Sequence, residues 1–414
     1  MNNERGRSAD SGADGEGVGA ARSTLVRELN EQAVLETIFR EGPITRPELA
    51  GRTGLSRPAV SAAVRRLEQA GLVGTAGARD GRRGRKPMSY VVSDRAGFVV
   101  GIDLGGANIR VGAANIFGEL IVDEREPTAK ETTRSTSMQI QRMVAGVVAQ
   151  ASAGHERPLA IGISTPGVVD QTHGRVTSLA YNLSAAGDFD ALSSIGERYR
   201  VPVLLDNNVN LAAVGERWAG VARGVSTFAF IAVGAGVGMG MVIDDRLVRG
   251  AHGAAGEIAY LPSGNEPFDE RHRLHGGLEG EIGAEGIVAA FRSACGEEPR
   301  DGAQGVFELA IEGHEQARGV VESVARRMGI AIAAVGAVID PELIVLGGGI
   351  GSNPALVAPV RAAVAGLLPV PVRVESSLLG DNAALLGAVA IALRRARGQV
   401  FSAGLRQPGT AKVK

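Results

Sequence analysis

The chain has 414 residues, too many for one ordinary hydrophobic core, so its length predicts two or three domains. The composition, 44% hydrophobic without an apolar run of 18 residues, indicates a soluble globular protein and excludes membrane-spanning helices. The single cysteine, Cys295, excludes internal disulfides and a cysteine-rich metal site, and it fits a reducing cytoplasm.

Charge is divided unevenly along the chain. Residues 23–95 carry 13 Lys and Arg against 8 Asp and Glu, whereas residues 96–414 carry 28 against 33. A basic N-terminal part on an acidic body indicates that only the N-terminal part meets a polyanion, although chance clustering on a solvated surface would give the same numbers. Residues 1–22 have few large apolar side chains and no signal-peptide centre, which predicts a disordered tail.

The segment PITRPELAGRTGLSRPAVSAAVRRLEQAGLV contains two helix starts in close succession. Thr45 and Glu48 match a capping box for a short helix that is predicted to end near Arg52. Gly54 then supplies a tight turn, and Ser56 is a predicted N-cap for a second helix.

The second helix has two different faces. A stripe at i, i+4 and i+7, predicted to be buried, is formed by Val60, Val64 and Leu67. A polar face that repeats every four residues is formed by Arg57, Ser61 and Arg65. This pattern predicts a helix-turn-helix whose second helix enters the major groove of DNA. The candidate DNA contacts in these helices are Thr45, Arg46, Ser56, Arg57, Ser61 and Arg65.

A basic glycine-rich loop follows, flanked by two strand-like ends in GTAGARDGRRGRKPMSYVV. Alone, such a loop is also typical of a solvated linker. Directly behind a helix-turn-helix it predicts the wing of a winged helix, which reaches a minor groove or phosphates. The candidate wing contacts are Arg82, Arg83, Arg85 and Lys86, with Arg79 at the start of the loop. The predicted DNA-binding domain is therefore residues 23–95.

The body, residues 97–397, contains two stretches with the same layout. FVVGIDLGGANIRVGAANIFGELIVDE and FAFIAVGAGVGMGMVIDDRLVRG each predict a strand, a glycine-rich turn, a strand, a polar turn and a strand. A third glycine cluster, in LIVLGGGIGSNP, follows a long helical pattern and a short apolar strand. The duplication predicts two similar lobes that face a cleft, and residues 398–414 are predicted to form a flexible tail.

Eight motifs make the chain resemble the ROK family of sugar kinases and sugar-responsive repressors. They are GIDLGGANIR, GISTPGVVD, DNNVNLAAVGE, GAGVGMG, GAHGAAGEIAY, GGLEGE, LGGGIG and GDNAALLGA. The resemblance covers residues 25–397 and implies an α/β chain, with an N-terminal winged helix-turn-helix followed by a two-lobed body of the actin-like, ribonuclease-H-like fold. An N-terminal winged helix-turn-helix is typical of the family's transcription factors, whereas its kinases usually lack this domain.

Three positions depart from the pattern of the kinases. In kinases similar to this chain an Asp serves as general base where this chain has Asn208, and an amide cannot accept a proton at neutral pH. The phosphate-binding turns usually end in or contain a Thr, which is here replaced by Ala107 and Ala235. The resemblance therefore implies no catalytic residue and no ATP cofactor. Asp206 remains an alternative base, since it lies two residues from Asn208.

Polar groups suited to a sugar remain in the matched motifs. By resemblance the ligand-binding residues are Gly167, Asn182, Asn207, Asn208, Glu257, Tyr260 and Glu279. The alternatives are that Glu257 caps a helix and that Glu279 lies on a solvated one. The family's zinc cluster of His and Cys is missing here, so no metal site is expected, and His272 and His275 are interpreted as loop residues.

The sequence thus predicts a cytoplasmic, sugar-responsive transcriptional regulator that acts as a repressor and does not span a membrane. Its expected partners are double-stranded operator DNA and a small sugar or sugar phosphate. A homodimer or homotetramer is expected from the symmetry of typical operators. Two alternatives stay open: an active ATP-dependent sugar kinase that carries a DNA-binding head, and a constitutive DNA-binding protein whose body senses nothing.

Overall fold

The computed structural model describes residues 13–78, 88–129, 132–153, 157–170, 175–177, 189–263, 268–370 and 372–403. The N-terminal domain, here called the head, consists of α1 (Ala13–Glu41), β1 (Ile44–Thr45), α2 (Arg46–Thr53), α3 (Arg57–Gln69), β2 (Val73–Ala78) and β3 (Met88–Val92). Its strands form an antiparallel sheet in the order β1-β3-β2. Three helices followed by a β-hairpin make a winged helix, as predicted.

Local contacts explain why α2 and α3 begin where they do. The Thr45 N–H and hydroxyl both donate to Glu48 Oε2 at 2.8 Å, and the Ala59 N–H donates to the Ser56 hydroxyl at 3.3 Å. Gly54 ends α2 with φ = 70°, a left-handed conformation that favours glycine. The residues of the predicted stripe, Val60, Val64 and Leu67, are all buried.

Helix α1 corrects the prediction for the N-terminus. Residues 13–22 were assigned to a disordered tail, but they are helical. Val34, Leu35 and Ile38 of α1 are buried in the core of the head, which anchors the helix. Once a helix is nucleated, each added residue closes one further hydrogen bond, so α1 continues through several glycines toward Ala13.

The N-terminal lobe of the body is built around a five-stranded sheet. Its elements are β4 (Phe98–Leu104), β5 (Asn108–Asn115), β6 (Leu120–Pro127), α4 (Thr133–Ser152), β7 (Pro158–Thr165), β8 (Val168–Asp170), β9 (Arg175–Thr177), α5 (Phe189–Tyr199), β10 (Val203–Asn207) and α6 (Asn208–Ala219). The strand order is β6-β5-β4-β7-β10, antiparallel across the first three strands and parallel from β4 to β10.

The C-terminal lobe repeats this plan. Its elements are β11 (Phe228–Val233), β12 (Val237–Ile243), β13 (Arg246–Val248), α7 (Glu270–His275), α8 (Glu279–Ile282), α9 (Ala284–Cys295), α10 (Gly302–Glu312), α11 (Glu315–Ile339), β14 (Leu343–Gly347), α12 (Gly348–Gly351), α13 (Pro354–Ala365), β15 (Arg373–Ser376) and α14 (Ala383–Ala403). The sheet order β13-β12-β11-β14-β15 has the same directions as the first sheet. The predicted duplication of two similar lobes is thus present.

The last helix, α14, leaves the C-terminal lobe and packs on the N-terminal lobe between β4, β7 and α6. A Cβ at Gly162 of β7 would overlap the Ala388 carbonyl oxygen, and a Cβ at Gly387 would overlap the Leu211 carbonyl oxygen of α6. Glycine at these two positions therefore permits the close packing of α14. The helix extends to Ala403, so the tail predicted from residue 398 begins too early.

Head and body share one apolar core. Val389, Leu393 and Val400 of α14 belong to the same buried cluster as Val34 and Ile38 of α1. At the edge of this cluster the rings of Phe39 and Phe117 stack at 5.6 Å. We call these two rings, together with Arg397, the junction. The Arg397 guanidinium lies 4.7 Å from the Phe39 ring centroid and donates to the Ile116 and Phe117 carbonyl oxygens at 2.9–3.1 Å. Among the described helices none is long and apolar enough to cross a membrane.

Candidate functional site

Helix α3 presents a basic face to solvent. Arg57 and Arg65 are exposed, and Ser61 between them is half-buried. The opposite face is fixed in the core of the head, so the two guanidinium groups project away from it. The predicted wing contacts Arg82, Arg83, Arg85 and Lys86, together with Arg79, lie outside the described residues.

Three of the candidate DNA contacts have structural partners within the head. Thr45 is only 7% exposed, and its hydroxyl faces Glu48, so its observed role is to cap α2. Arg46 pairs with Glu68 at 3.6 Å and lies 5.0 Å from the Tyr90 ring centroid. Ser56 is exposed, but its hydroxyl accepts from the first turn of α3.

The body contains a cavity of about 850 Å³ between its two lobes. The N-terminal lobe contributes the turn at Gly106, Pro166 with Gly167, and the start of α6. The C-terminal lobe contributes the turn at Gly234 and the residues around Glu257. The cavity falls within the range of about 300–1,000 Å³ that is usual for small-molecule sites. All the described candidate ligand-binding residues line it, namely Gly167, Asn207, Asn208, Glu257, Tyr260 and Glu279. Asn182 lies outside the described residues.

Asn207 and Asn208 lie where β10 ends and α6 begins. The Asn207 carboxamide oxygen accepts from the Val209 N–H at 2.8 Å, and its Nδ2 donates to the Gly167 carbonyl oxygen at 3.0 Å. Asn207 therefore caps α6 and holds the turn of Gly167, whose φ of 92° favours glycine. The Asn208 oxygen accepts from Val209 N–H at 2.9 Å. Its Nδ2 has no hydrogen-bond partner among the described residues and remains available to a ligand.

Asp206 is engaged in a different contact. It is 2% exposed, and its Oδ2 accepts from Arg249 Nε at 2.8 Å and Nη2 at 2.6 Å. Its Oδ1 accepts from the Asn207 N–H at 2.9 Å and from Asn210 Nδ2 at 3.1 Å. Asp206 does not line the cavity. The carboxylate thus ties the N-terminal lobe to Arg249 of the C-terminal lobe, and both of its oxygens already accept hydrogen bonds from protein groups.

Glycine turns follow the first strand of each lobe, as predicted, and Ala107 and Ala235 of these turns line the cavity. At the first turn the Thr128 hydroxyl donates to the Gly105 carbonyl oxygen at 2.8 Å. At the second turn the Gly234 N–H donates to the Gly236 carbonyl oxygen at 2.9 Å. Neither Ala side chain supplies the hydroxyl that the resemblance associates with nucleotide phosphates.

Glu257 and Glu279 are half-buried in the cavity wall. Glu257 precedes a short 3₁₀ helix but makes no side-chain capping bond, so the capping interpretation fails. Burial raises the pKa of the Glu257 carboxyl, and the charge of Glu279 raises it further. Burial also raises the pKa of Glu279, opposed by a hydrogen bond from the Val237 N–H at 2.9 Å. Glu279 begins α8 and is not on a solvated helix face.

Two further titratable residues line the cavity, and the sequence interpretation did not assign them to it. His275 ends α7, and Glu285 lies in the first turn of α9. The prediction that His272 and His275 are loop residues is wrong, since both lie in helix α7. Glu285, six residues after Glu279, had no motif signal. Tyr260, which is 37% exposed, lies on the same wall. Among the described residues, no group of three His, Cys, Asp or Glu side chains is suitably placed for a metal ion.

Comparison with known sequences agrees with this geometry. The sequence model of the ROK family matches residues 99–395. The chain belongs to the ROK family. A model described as winged helix-turn-helix DNA-binding matches residues 27–73, which include α2 and α3. The family assignment thus covers nearly all of the two-lobed body, and the second match covers most of the head.

The relatives of this chain include proteins named as repressors and a protein named as a sugar kinase. The chain is 30% identical to the xylose repressor of Bacillus subtilis over 58% of this chain and 62% of that protein. It is 28% identical to a putative xylose repressor of Caldicellulosiruptor over 89% of this chain and 96% of that protein. A glucokinase of Halalkalibacterium halodurans is 29% identical over 65% of this chain and 85% of that protein.

Solved structures support the fold. A ROK family transcriptional regulator described as a homologue of the E. coli MLC protein superimposes with a TM-score of 0.71 at 22% identity, covering 92% of this chain and 98% of that one. The ROK hexokinase of Thermus thermophilus gives 0.60 at 28% identity, covering 73% of this chain and 99% of that one. The α/β fold, a winged helix followed by a two-lobed ROK body, is therefore established.

Proposed function

We propose that this protein is a sugar-responsive, DNA-binding transcriptional regulator, and that its output is repression. The observation that carries the proposal is the combination, in one chain, of an exposed basic face on α3 and an interlobe cavity that offers Asn208 where a kinase needs a carboxylate. Relatives named as xylose repressors that match through most of this chain support it. We place its action in the cytoplasm, where operator DNA is found.

On the DNA side, Arg57 and Arg65 are the groups best placed to reach a major groove. They are exposed, stand on the second helix of the motif and point away from the buried stripe. Arginine in this position donates to guanine edges or to phosphates. The wing residues would add affinity that depends on salt. A two-fold symmetric operator would require a homodimer or a tetramer.

On the ligand side, the arrangement of polar groups supports binding without phosphoryl transfer. General-base catalysis is worth about 10²–10⁴ in rate, and neither Asn208 nor the engaged Asp206 supplies it. The alanines at both glycine turns remove hydroxyl donors, and a hydrogen bond to a charged group is worth about 1.5–3 kcal/mol. We therefore propose that the protein uses neither ATP nor a metal ion as a cofactor.

The fold offers a route from the cavity to the head. Asn208 at the cavity begins α6, α6 packs along α14, and α14 shares a core with α1. The Asp206–Arg249 pair already joins the two lobes beside the cavity. A sugar that draws the lobes together would change how α6 and α14 meet, and with them the position of the winged helix. A coupling of about 1–3 kcal/mol corresponds to a change in operator affinity of about 5- to 150-fold.

The test combines three measurements on the full chain. Genomic fragments selected by the protein supply the operator, and its affinity is measured with and without each sugar of a pentose and hexose panel. We expect one sugar to change the affinity at least about fivefold, and Arg65→Ala to weaken binding about tenfold or more. Arg394→Ala, an exposed arginine of α14, is the matched control and should leave operator binding unchanged.

ATP turnover on the same panel separates the alternatives. Phosphorylation at about 1 s⁻¹ or faster, an ordinary enzyme rate, would make the protein a kinase that carries a DNA-binding head. Operator binding that no sugar alters, together with no thermal stabilisation by any sugar, would make it a constitutive DNA-binding protein. Either result would overturn the proposal.

A further inference from the structure

Resting on the proposed function, we infer that the interlobe cavity selects sugars that carry no phosphate group. The charges around the cavity point to this. Its described lining includes three carboxylates, Glu257, Glu279 and Glu285, one imidazole, His275, and no lysine or arginine. A phosphate monoester carries about −1.5 to −2 charge at neutral pH. The carboxylates that line the cavity would therefore repel it.

The second glycine turn shows how the protein fills its own anion-binding position. Glu279 Oε2 accepts from the Val237 N–H at 2.9 Å, directly after the turn. A Cβ at Gly236 would lie 3.2 Å from the same oxygen, so the carboxylate lies against the backbone of the turn. The Gly234 N–H is also occupied, since it donates to the Gly236 carbonyl oxygen. A phosphate that approached this turn would have to displace a carboxylate of like charge.

The first glycine turn, on the opposite wall, offers no compensating side chain. Ala107 has no hydroxyl, and Thr128 donates its hydroxyl to the Gly105 carbonyl oxygen. The Gly105 N–H donates to the Asn108 carbonyl oxygen at 3.0 Å. Among the described lining residues of this wall, none carries a positive charge that would offset the repulsion from the other wall.

A neutral sugar fits the same groups. Each carboxylate accepts hydrogen bonds from up to two hydroxyl groups, and Asn208 Nδ2 donates one to a sugar oxygen. Burial in the cavity wall desolvates the two carboxylates, which raises the pKa of Glu257 and Glu279. Hydroxyl donors from a sugar would stabilise their charged form. The cavity is thus complementary to a ligand that supplies donors without bringing further negative charge.

The experiment compares each neutral sugar with its own terminal phosphate ester on the full chain. The pairs are xylose and xylose 5-phosphate, glucose and glucose 6-phosphate, mannose and mannose 6-phosphate, and N-acetylglucosamine and its 6-phosphate. Thermal shifts rank the panel, and calorimetric titration gives Kd for every compound that stabilises the protein. We expect at least one neutral sugar to bind, with its ester at least about tenfold weaker, which corresponds to about 1.4 kcal/mol.

Glu279→Gln tests the residue that occupies the turn. We expect the variant to bind the neutral sugar more weakly. We also expect the ratio of the ester's Kd to the sugar's Kd to fall about threefold or more, because the cavity wall carries one negative charge fewer. Glu312→Gln removes the same charge from an exposed site on α10 and should leave both Kd values unchanged.

The possible results are separable. If an ester binds as tightly as its neutral sugar, or more tightly, the inference is wrong while the proposed function stands. If neither member of any pair binds, the proposed sugar sensor fails and the inference fails with it. If Glu312→Gln changes the ratio as much as Glu279→Gln does, the selectivity arises from net charge and not from the cavity wall.

Discussion

Glu257 makes folding less favourable when no sugar is bound. Burial, and then the charge of Glu279, raises the pKa of its carboxyl, so the folded state holds this proton more tightly than the unfolded chain does. A raised acid pKa opposes folding once the carboxyl is ionised in both states. The penalty is therefore complete above the folded pKa and vanishes below the unfolded value of about 4.3.

We predict that Glu257→Gln raises the Tm of the ligand-free protein at pH 7.5, by about 1–3 °C, and leaves it unchanged at pH 4. The same variant should raise the Kd of whichever sugar stabilises the wild type, because an amide replaces a charged acceptor. Differential scanning calorimetry at both pH values and titration calorimetry measure these effects. A lower Tm at pH 7.5 would show that Glu257 stabilises the empty cavity instead.

The sequence predicted most of the residues that line the site, but it did not predict which residues they contact. The resemblance to the ROK motifs led to Asn208, Glu257 and Glu279, because each matched motif follows a strand or a glycine turn that sets its place in the fold. His275 reaches the cavity only through the packing of the C-terminal lobe. The partnership of Asp206 with Arg249 spans 43 residues and two lobes, so no local pattern indicates it.

At the scale of elements, periodicity and glycine turns predicted the two three-stranded meanders and both short helices of the head. The extent of α1 was missed because the glycines before residue 20 weaken its local signal, while its stability comes from Val34 and Ile38 in the core. The return of α14 to the N-terminal lobe was also missed. It depends on backbone contacts at Gly162 and Gly387, and composition does not reveal which surfaces those glycines bring together.

The crossing of α6 and α14 yields a second prediction. A Cβ at Gly387 would overlap the Leu211 carbonyl oxygen, so Gly387→Ala must push the two helices apart. Overpacking of this kind costs about 1–3 kcal/mol, which a urea titration will detect as a lower midpoint. We also expect the variant to weaken the response of operator affinity to sugar, since the helices connect the cavity with the head.

Gly398→Ala is the control for this prediction, because it lies on the same helix with nothing within 4 Å of the added Cβ. Alanine at an exposed helix position is favoured over glycine by about 0.5–1 kcal/mol. The control should therefore be neutral or stabilising. Equal destabilisation by both variants would contradict the argument that the crossing, and not glycine itself, is the constraint.

At the scale of the whole molecule, the junction determines whether head and body act as one unit. The Phe39–Phe117 stack and the Arg397 guanidinium connect α1 with the N-terminal lobe. Burial lowers the pKa of Arg397, in accord with a guanidinium held between protein surfaces. Stacked aromatic pairs contribute about 0.5–1.5 kcal/mol beyond the area that they bury.

We predict that Phe39→Ala separates the two activities that the chain joins. The variant should keep operator binding and sugar binding within about threefold of the wild type, a loss below about 0.7 kcal/mol each, yet lose most of the effect of sugar on operator affinity. In calorimetry we expect one unfolding transition for the wild type and two for the variant. Phe268→Ala, at a side chain that is 98% exposed, is the control and should retain the coupling. Full coupling in Phe39→Ala would remove the junction from the mechanism.

The core shared by α1 and α14 also limits how heads can be exchanged within the family. A chimera cut in the connection between β3 and β4 would set a foreign α1 against Leu393, Arg397 and Val400, which in this chain pack in one cluster with its own α1. Recombination that exchanged only the winged helix would yield a hybrid whose α1 packs poorly against α14. New operator specificities on this body should thus arise more readily by changing exposed residues of α3 than by replacing the domain.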